Sequence, residues 1–131
     1  MPSAVTSTPA APSREALAHF NRRLGFETDC ADVHAAFRQG EADFVLVDVR
    51  SATLYAGAHV PGAINIPHRE LTAERLAAYP AETLFVVYCA GPHCNGANHA
   101  AVRLAALGRP VKEMIGGVTG WQDEGYALAR S

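Results

Sequence analysis

The sequence predicts an α/β fold: a central parallel sheet flanked by helices on both faces. Three observations predict it. Residues 44–49 and 84–88 are nearly continuous apolar runs, the pattern of strands covered on both faces. Segments of helical period separate these runs, as crossover helices separate parallel strands. Finally, Asp48, Cys89 and Gly116-Gly117 all fall where strands end, and parallel sheets bind ligands outside their carboxyl ends.

Taken in order, residues 1–12 are rich in Ala, Ser, Thr and Pro and read as a flexible tail. Residues 13–131 then form one domain. Ser13 is the expected cap of a first helix to about Leu24, with Leu17, Phe20 and Leu24 on one stripe and Gly25 as its stop. Thr28 or Asp29 caps a second helix through about Gln39, with Val33, Ala36 and Phe37 inward. The strand 44–49 follows. Residues 63–66 are a short strand, expected at a sheet edge and ended by Pro67. Residues 69–79 look helical, with Leu71 and Leu76 as core contacts. After the strand 84–88, Ala97, Ala101, Leu104 and Leu107 mark a helix that Gly108 ends. Residues 111–115 make a third strand, and a short helix around Trp121 closes the chain.

Composition narrows the function. The 131 residues carry 11 basic and 13 acidic side chains, a net charge of −2. Nucleic-acid and membrane-surface binders usually show a basic patch, so neither partner is expected. Three cysteines are too few and too scattered for a secreted disulfide framework. The N-terminus lacks a basic segment followed by an apolar one, and no run reaches the ~20 apolar residues of a membrane span. A cytoplasmic location is expected.

Cys89 carries the chemistry. It ends a buried strand and is followed by Ala90, Gly91, Pro92, His93, Cys94, Asn95 and Gly96, then by a helix. Backbone N–H groups at a helix start lack partners and carry partial positive charge. A thiolate among them is stabilised, so its pKa falls below the ~8.5 of a free cysteine. Asn95 and Gly96 suit the sharp turn into the helix. Cys94 has two readings: a resolving thiol that attacks an oxidised or persulfidated Cys89, or a loop cysteine packed beside the helix start. His93 is a source of positive charge for the loop, and His99 a solvated helix residue. Cys89, His93, Cys94 and His99 lack the paired spacing of a zinc site, so no metal and no cofactor are expected. Asp48 and Arg50 shape the site from the neighbouring strand, Asp48 as an acceptor for loop N–H groups and Arg50 as the partner of a nearby carboxylate; Arg50 is also the best candidate for a cation reaching the pocket from outside the loop. Cys30 reads as structural.

Three segments also resemble a known family. Asp48-Val49-Arg50 with residues 55–67 (YAGAHVPGAINIP) is similar to the first motif of single-domain rhodaneses. Val86-Val87-Tyr88-Cys89 resembles their active-site strand and nucleophile, and residues 116–121 (GGVTGW) resemble their C-terminal motif. The likeness spans about residues 31–127 and leaves an extra N-terminal helix before it. In this resemblance His59, Pro61 and Gly62 serve turn and packing.

The resemblance implies a rhodanese-like sulfurtransferase. Cys89 would take a sulfane sulfur from thiosulfate or a persulfide, hold it as a persulfide, and pass it to a thiol, cyanide or a protein thiol. No cofactor is implied, since the protein itself carries the sulfur. This chain departs from the family in one respect: no Arg or Lys occurs from Ala90 to Val102, where many rhodaneses place a loop cation. Two other functions are weighed beside it. A non-catalytic or redox-sensing module that binds a protein partner is compatible with the missing cation. An arsenate reductase or phosphatase of this fold needs Cys-x5-Arg, and here Asn95 stands at the arginine position.

Overall fold

The computed structural model describes residues 1–131. Its elements are α1 (Ser13–Phe26), β1 (Glu27–Asp29), α2 (Cys30–Arg38), β2 (Val45–Asp48), α3 (Ala52–Gly57), β3 (Ile64–Asn65), α4 (Ala73–Leu76), β4 (Phe85–Tyr88), α5 (Gly96–Ala106), β5 (Val111–Ile115) and α6 (Gly117–Asp123), with a 3-10 turn at His68–Glu70. The five strands form one sheet in the order β1-β5-β4-β2-β3. Every pairing is parallel. The α/β sheet expected from the sequence is the fold observed.

Strand alternation divides the core. Val47, Val49, Phe85, Val87 and Cys89 face α5 and α4, where Ala97, Ala100, Leu104 and Leu76 cover them. Leu46, Val86, Tyr88 and Met114 face the other way, onto Val33 of α2 and Val118 and Trp121 of α6. Each large side chain buried in this way contributes ~1.5–3 kcal/mol. The same alternation that buries Phe85 and Val87 therefore aims Cys89 toward the start of α5.

Several elements differ from expectation. Residues 27–29 form an unexpected strand, β1, which pairs with β5 through Thr28↔Met114 and makes one edge of the sheet. Of the two expected caps of α2, Asp29 is the one used, its carboxylate accepting from the Asp32 amide at 2.8 Å. Helix α1 runs through Gly25 to Phe26 and begins after Pro12 with no side-chain cap. Its stripe stays in solvent, with Leu17 65%, Phe20 55% and Leu24 69% exposed.

The expected helix 69–79 is broken. Leu71 and Leu76 are both buried, but Leu71 leaves helical geometry and Thr72 starts a new turn by accepting the Arg75 amide at 3.2 Å. Helix α3 lacks any buried residue, so no apolar period marks it; Ser51 caps it by accepting from Leu54. No helix is long and apolar enough to cross a membrane.

Candidate active site

The adjacent strands β2 and β4 deliver the site's polar residues. Asp48 ends β2 at 0% exposure and is bound by Arg50 at Nη2–Oδ2 2.8 Å and Nε–Oδ1 3.1 Å. The Arg50 amide adds a bond to Oδ1 at 2.9 Å, and Nη2 also donates to the Ala58 carbonyl. Burial alone would lower the pKa of Arg50, but the Asp48 carboxylate raises it above its ordinary value. Arg50 borders the cavity beside Cys89, yet its guanidinium is committed to Asp48 and Ala58. Arg50 thus takes the expected carboxylate partner, Asp48, and is not a free cation for the pocket.

Behind the pair, Tyr88 accepts the Val60 amide at 3.0 Å. Burial and the neighbouring Asp48 charge push its hydroxyl pKa up. His59 is buried, stacks on Tyr55 and bonds the Tyr55 carbonyl through Nδ1 at 2.7 Å.

Cys89 directly follows β4 and is 7% exposed. The chain after it turns sharply, with the Cys94 amide donating to the Gly91 carbonyl at 3.0 Å. This turn joins Cys89 and Cys94 in a disulfide, their Cα atoms 6.4 Å apart. Gly96 makes room for both sulfurs. A Cβ there would lie 2.9 Å from Cys89 Sγ and 3.5 Å from Cys94 Sγ. Its amide donates to Cys94 Sγ at 3.5 Å. The amides of Gly91, His93, Asn95, Ala97 and Asn98 donate to no protein acceptor. Ala90 and Cys89 are held from the other side, their carbonyls accepting from Thr119 and Val118. Gly117 (φ +56) permits this approach, because a Cβ there would run into the Cys89 carbonyl. The C-terminal glycines thus fix the floor of the loop.

Pro92, His93 and Asn95 are exposed, and Cys94 is half-buried. His93 makes no hydrogen bond to another side chain. Two cavities open on the cysteine pair. One, of about 600 Å³, is bordered by Asp29, Glu113, Asp123 and Glu124, with Arg23 as its one cation; Arg23 is bound to Glu27 at 3.3 Å. The other, of about 480 Å³, is bordered by Ser51, Leu54, His68, Arg69 and Glu70.

This charge distribution was not read from the sequence, because its acids come from three separate segments: β1, β5 and the end of α6. Burial, the opposing Asn98 bond and the Glu27 charge together leave the Glu113 pKa raised. Burial, then Arg69, His99 and Arg103, lower that of His68. His99 stands 5.8 Å from His68, ring centre to ring centre. Cys30 borders the first cavity but is buried, and its thiol points to the Ile115 and Gly117 carbonyls at 3.6 and 3.7 Å. Burial, with Asp29 and Glu124, pushes its pKa up to about 11, so it stays protonated. No group of three or more His, Cys, Asp or Glu side chains is placed to hold a metal ion.

Comparison with known proteins agrees with the fold. The family model for the rhodanese-like domain matches residues 29–124. An HTH-type transcriptional regulator of Mycobacterium tuberculosis is 41% identical over 107 residues, which are 80% of this chain and 46% of that protein. The chain thus spans about half the length of this curated relative. A crystal structure of a Bacillus halodurans protein superposes with a TM-score of 0.87 at 37% identity, covering 91% of this chain and 87% of that one. A thiosulfate sulfurtransferase of Pseudomonas aeruginosa superposes with a TM-score of 0.68 at 24% identity, covering 84% of this chain and 21% of that one. At that identity it speaks for the fold alone.

Proposed function

The chain belongs to the rhodanese-like domain family, and from that membership we propose that it is a sulfurtransferase carrying sulfane sulfur on Cys89. One observation carries the reading. Cys89 ends a buried strand opposite the start of α5, in a loop whose Gly91, His93, Asn95, Ala97 and Asn98 amides have no protein acceptor. Such a surplus of donors is what an anionic sulfur requires. Once reduced, Cys89 attacks the outer sulfur of the donor, a thiolate leaves from a persulfide (or sulfite from thiosulfate), and a Cys89 persulfide remains. Loop amides stabilise the thiolate before the attack and the persulfide anion after it.

The charges around the pair favour an organic persulfide over thiosulfate as donor. Thiosulfate is a dianion, and the larger cavity presents four carboxylates. Of the cations bordering the two cavities, Arg23 is bound to Glu27 and Arg50 to Asp48, which leaves Arg69, on the smaller cavity, as the one without an ion pair. Turnover with cyanide tests both points. Pre-reduced protein should form thiocyanate faster from glutathione persulfide than from thiosulfate, and the Cys89→Ser variant should form none above background. Equal rates in wild type and Cys89→Ser would refute the assignment.

A second reading is a sulfur- or redox-sensing module. It is favoured by the relative that is a transcriptional regulator and by the cysteine pair itself. Sensing predicts that Cys89 gains sulfur readily but that turnover with cyanide is slow, so the same assay separates the two.

A further inference from the structure

We infer that this chain also reduces organic persulfides to sulfide, with Cys94 as the resolving thiol. The inference rests on the reading of Cys89 as a persulfide carrier and adds a reaction to it. Its basis is the convergence of the two sulfurs. The turn closed by the Cys94 amide on the Gly91 carbonyl brings the Cα atoms to 6.4 Å, inside the ~4.4–6.8 Å that disulfides span. Gly96 leaves both sulfurs the space a side chain would take. Its amide donates to Cys94 Sγ, which favours the thiolate at the attacking sulfur as well.

Cys89 thiolate attacks the outer sulfur of R–S–SH; the R–S to sulfur bond breaks and R–S⁻ departs with the electron pair. Cys89–S–SH is left. Cys94 thiolate then attacks Cys89 Sγ, the bond to the terminal sulfur breaks, and HS⁻ departs with that pair. A Cys89–Cys94 disulfide remains. In sum, one persulfide and two protein thiols give one thiol, one hydrogen sulfide and one disulfide. The sulfane sulfur is reduced and the two cysteine sulfurs are oxidised. An external thiol reductant reopens the disulfide for the next cycle.

Both cavities reach both cysteines, so the donor thiolate and the sulfide each have an exit. Cys30 does not replace Cys94. It is buried with its thiol on the Ile115 and Gly117 carbonyls, and the structure leaves it unpaired.

A single turnover tests this. Full-length protein is reduced, freed of reductant and mixed with one equivalent of glutathione persulfide; sulfide and protein thiols are then counted. Wild type should release close to one sulfide per chain and lose Cys89 and Cys94 to a disulfide. Cys94→Ser should release sulfide at least about tenfold more slowly, because the resolving thiol is gone. It should instead hold a persulfide on Cys89 that cyanide removes, and Cys94→Ala should behave alike. A wild-type protein that keeps its persulfide without releasing sulfide would overturn the inference and leave the carrier reading standing. So would sulfide release as fast in Cys94→Ser. Absence of sulfur on Cys89 in every variant would sink both.

Discussion

Strands β2 and β4 lie side by side in register, from Val45↔Phe85 to Asp48↔Tyr88, and end in opposite ways. At the end of β2, Asp48 faces the α2 and α6 side of the sheet and is saturated. Arg50 binds it with both backbone and guanidinium, and the Ala58 carbonyl takes up the remaining reach of that guanidinium. At the end of β4, Cys89 faces α5, and the loop around it keeps amides without acceptors. Burial is similar at both ends, and the difference is supply. Asp48, which finishes the scaffold, is given partners from the chain itself, while the sulfur that the proposed transfer would use is surrounded by donors still available to a substrate.

The largest effect is expected at Cys89. Cys89→Ser should lower sulfur transfer by about a thousandfold or more, since the hydroxyl is a far weaker nucleophile at neutral pH. Under reducing conditions its urea midpoint should stay near that of wild type. Asp48→Ala is the converse. It leaves the buried Arg50 charge without its partner and should cost about 3–5 kcal/mol in denaturant unfolding. A cost near zero would mean that the ion pair is ornamental.

Gly96→Ala sharpens the contrast further. A methyl group 2.9 Å from Cys89 Sγ forces the sulfur aside, so sulfur loading should slow by about ten- to a hundredfold. Crowding this buried corner should also cost about 1–3 kcal/mol in denaturant unfolding.

The smallest effect belongs to Glu113, an acid on the wall of the larger cavity whose charge burial disfavours. Its pKa is raised on folding, so the protonated form is stabilising below the ordinary value of 4.5. That stability is lost as pH rises through the higher folded value. Glu113→Gln should therefore raise the melting temperature slightly at pH 7, and the gain should vanish below about pH 4. Melting curves of both proteins across pH 4–7 would check the sign.

The sequence made some of this legible and concealed the rest for physical reasons. The runs 44–49 and 84–88 were readable because a strand buried on both faces has no polar residue to interrupt it. The position of Cys89 followed from the end of such a run. β1 and α3 gave no signal, being three and six residues long with too few buried side chains to set a period. Long-range polar contacts were equally silent. Arg109 donates to the carbonyls of Leu76, Tyr79 and Pro80 and lies over the Phe85 ring, which no spacing along the chain announces. Arg50 was readable as a site residue, but whether its charge met a substrate or Asp48 depended on a turn of two residues. The acidic wall came from Asp29, Glu113, Asp123 and Glu124 meeting across separate elements.

The central claim is that Cys89 carries sulfur, and the most direct test is the mass of the reduced Cys94→Ser protein after brief exposure to glutathione persulfide. The variant removes the resolving step, so the loaded state should accumulate. The account predicts a gain of one sulfur atom, reversed by dithiothreitol and located by peptide mapping on Cys89. A folded protein that gains no sulfur, or gains it on Cys30, would contradict it.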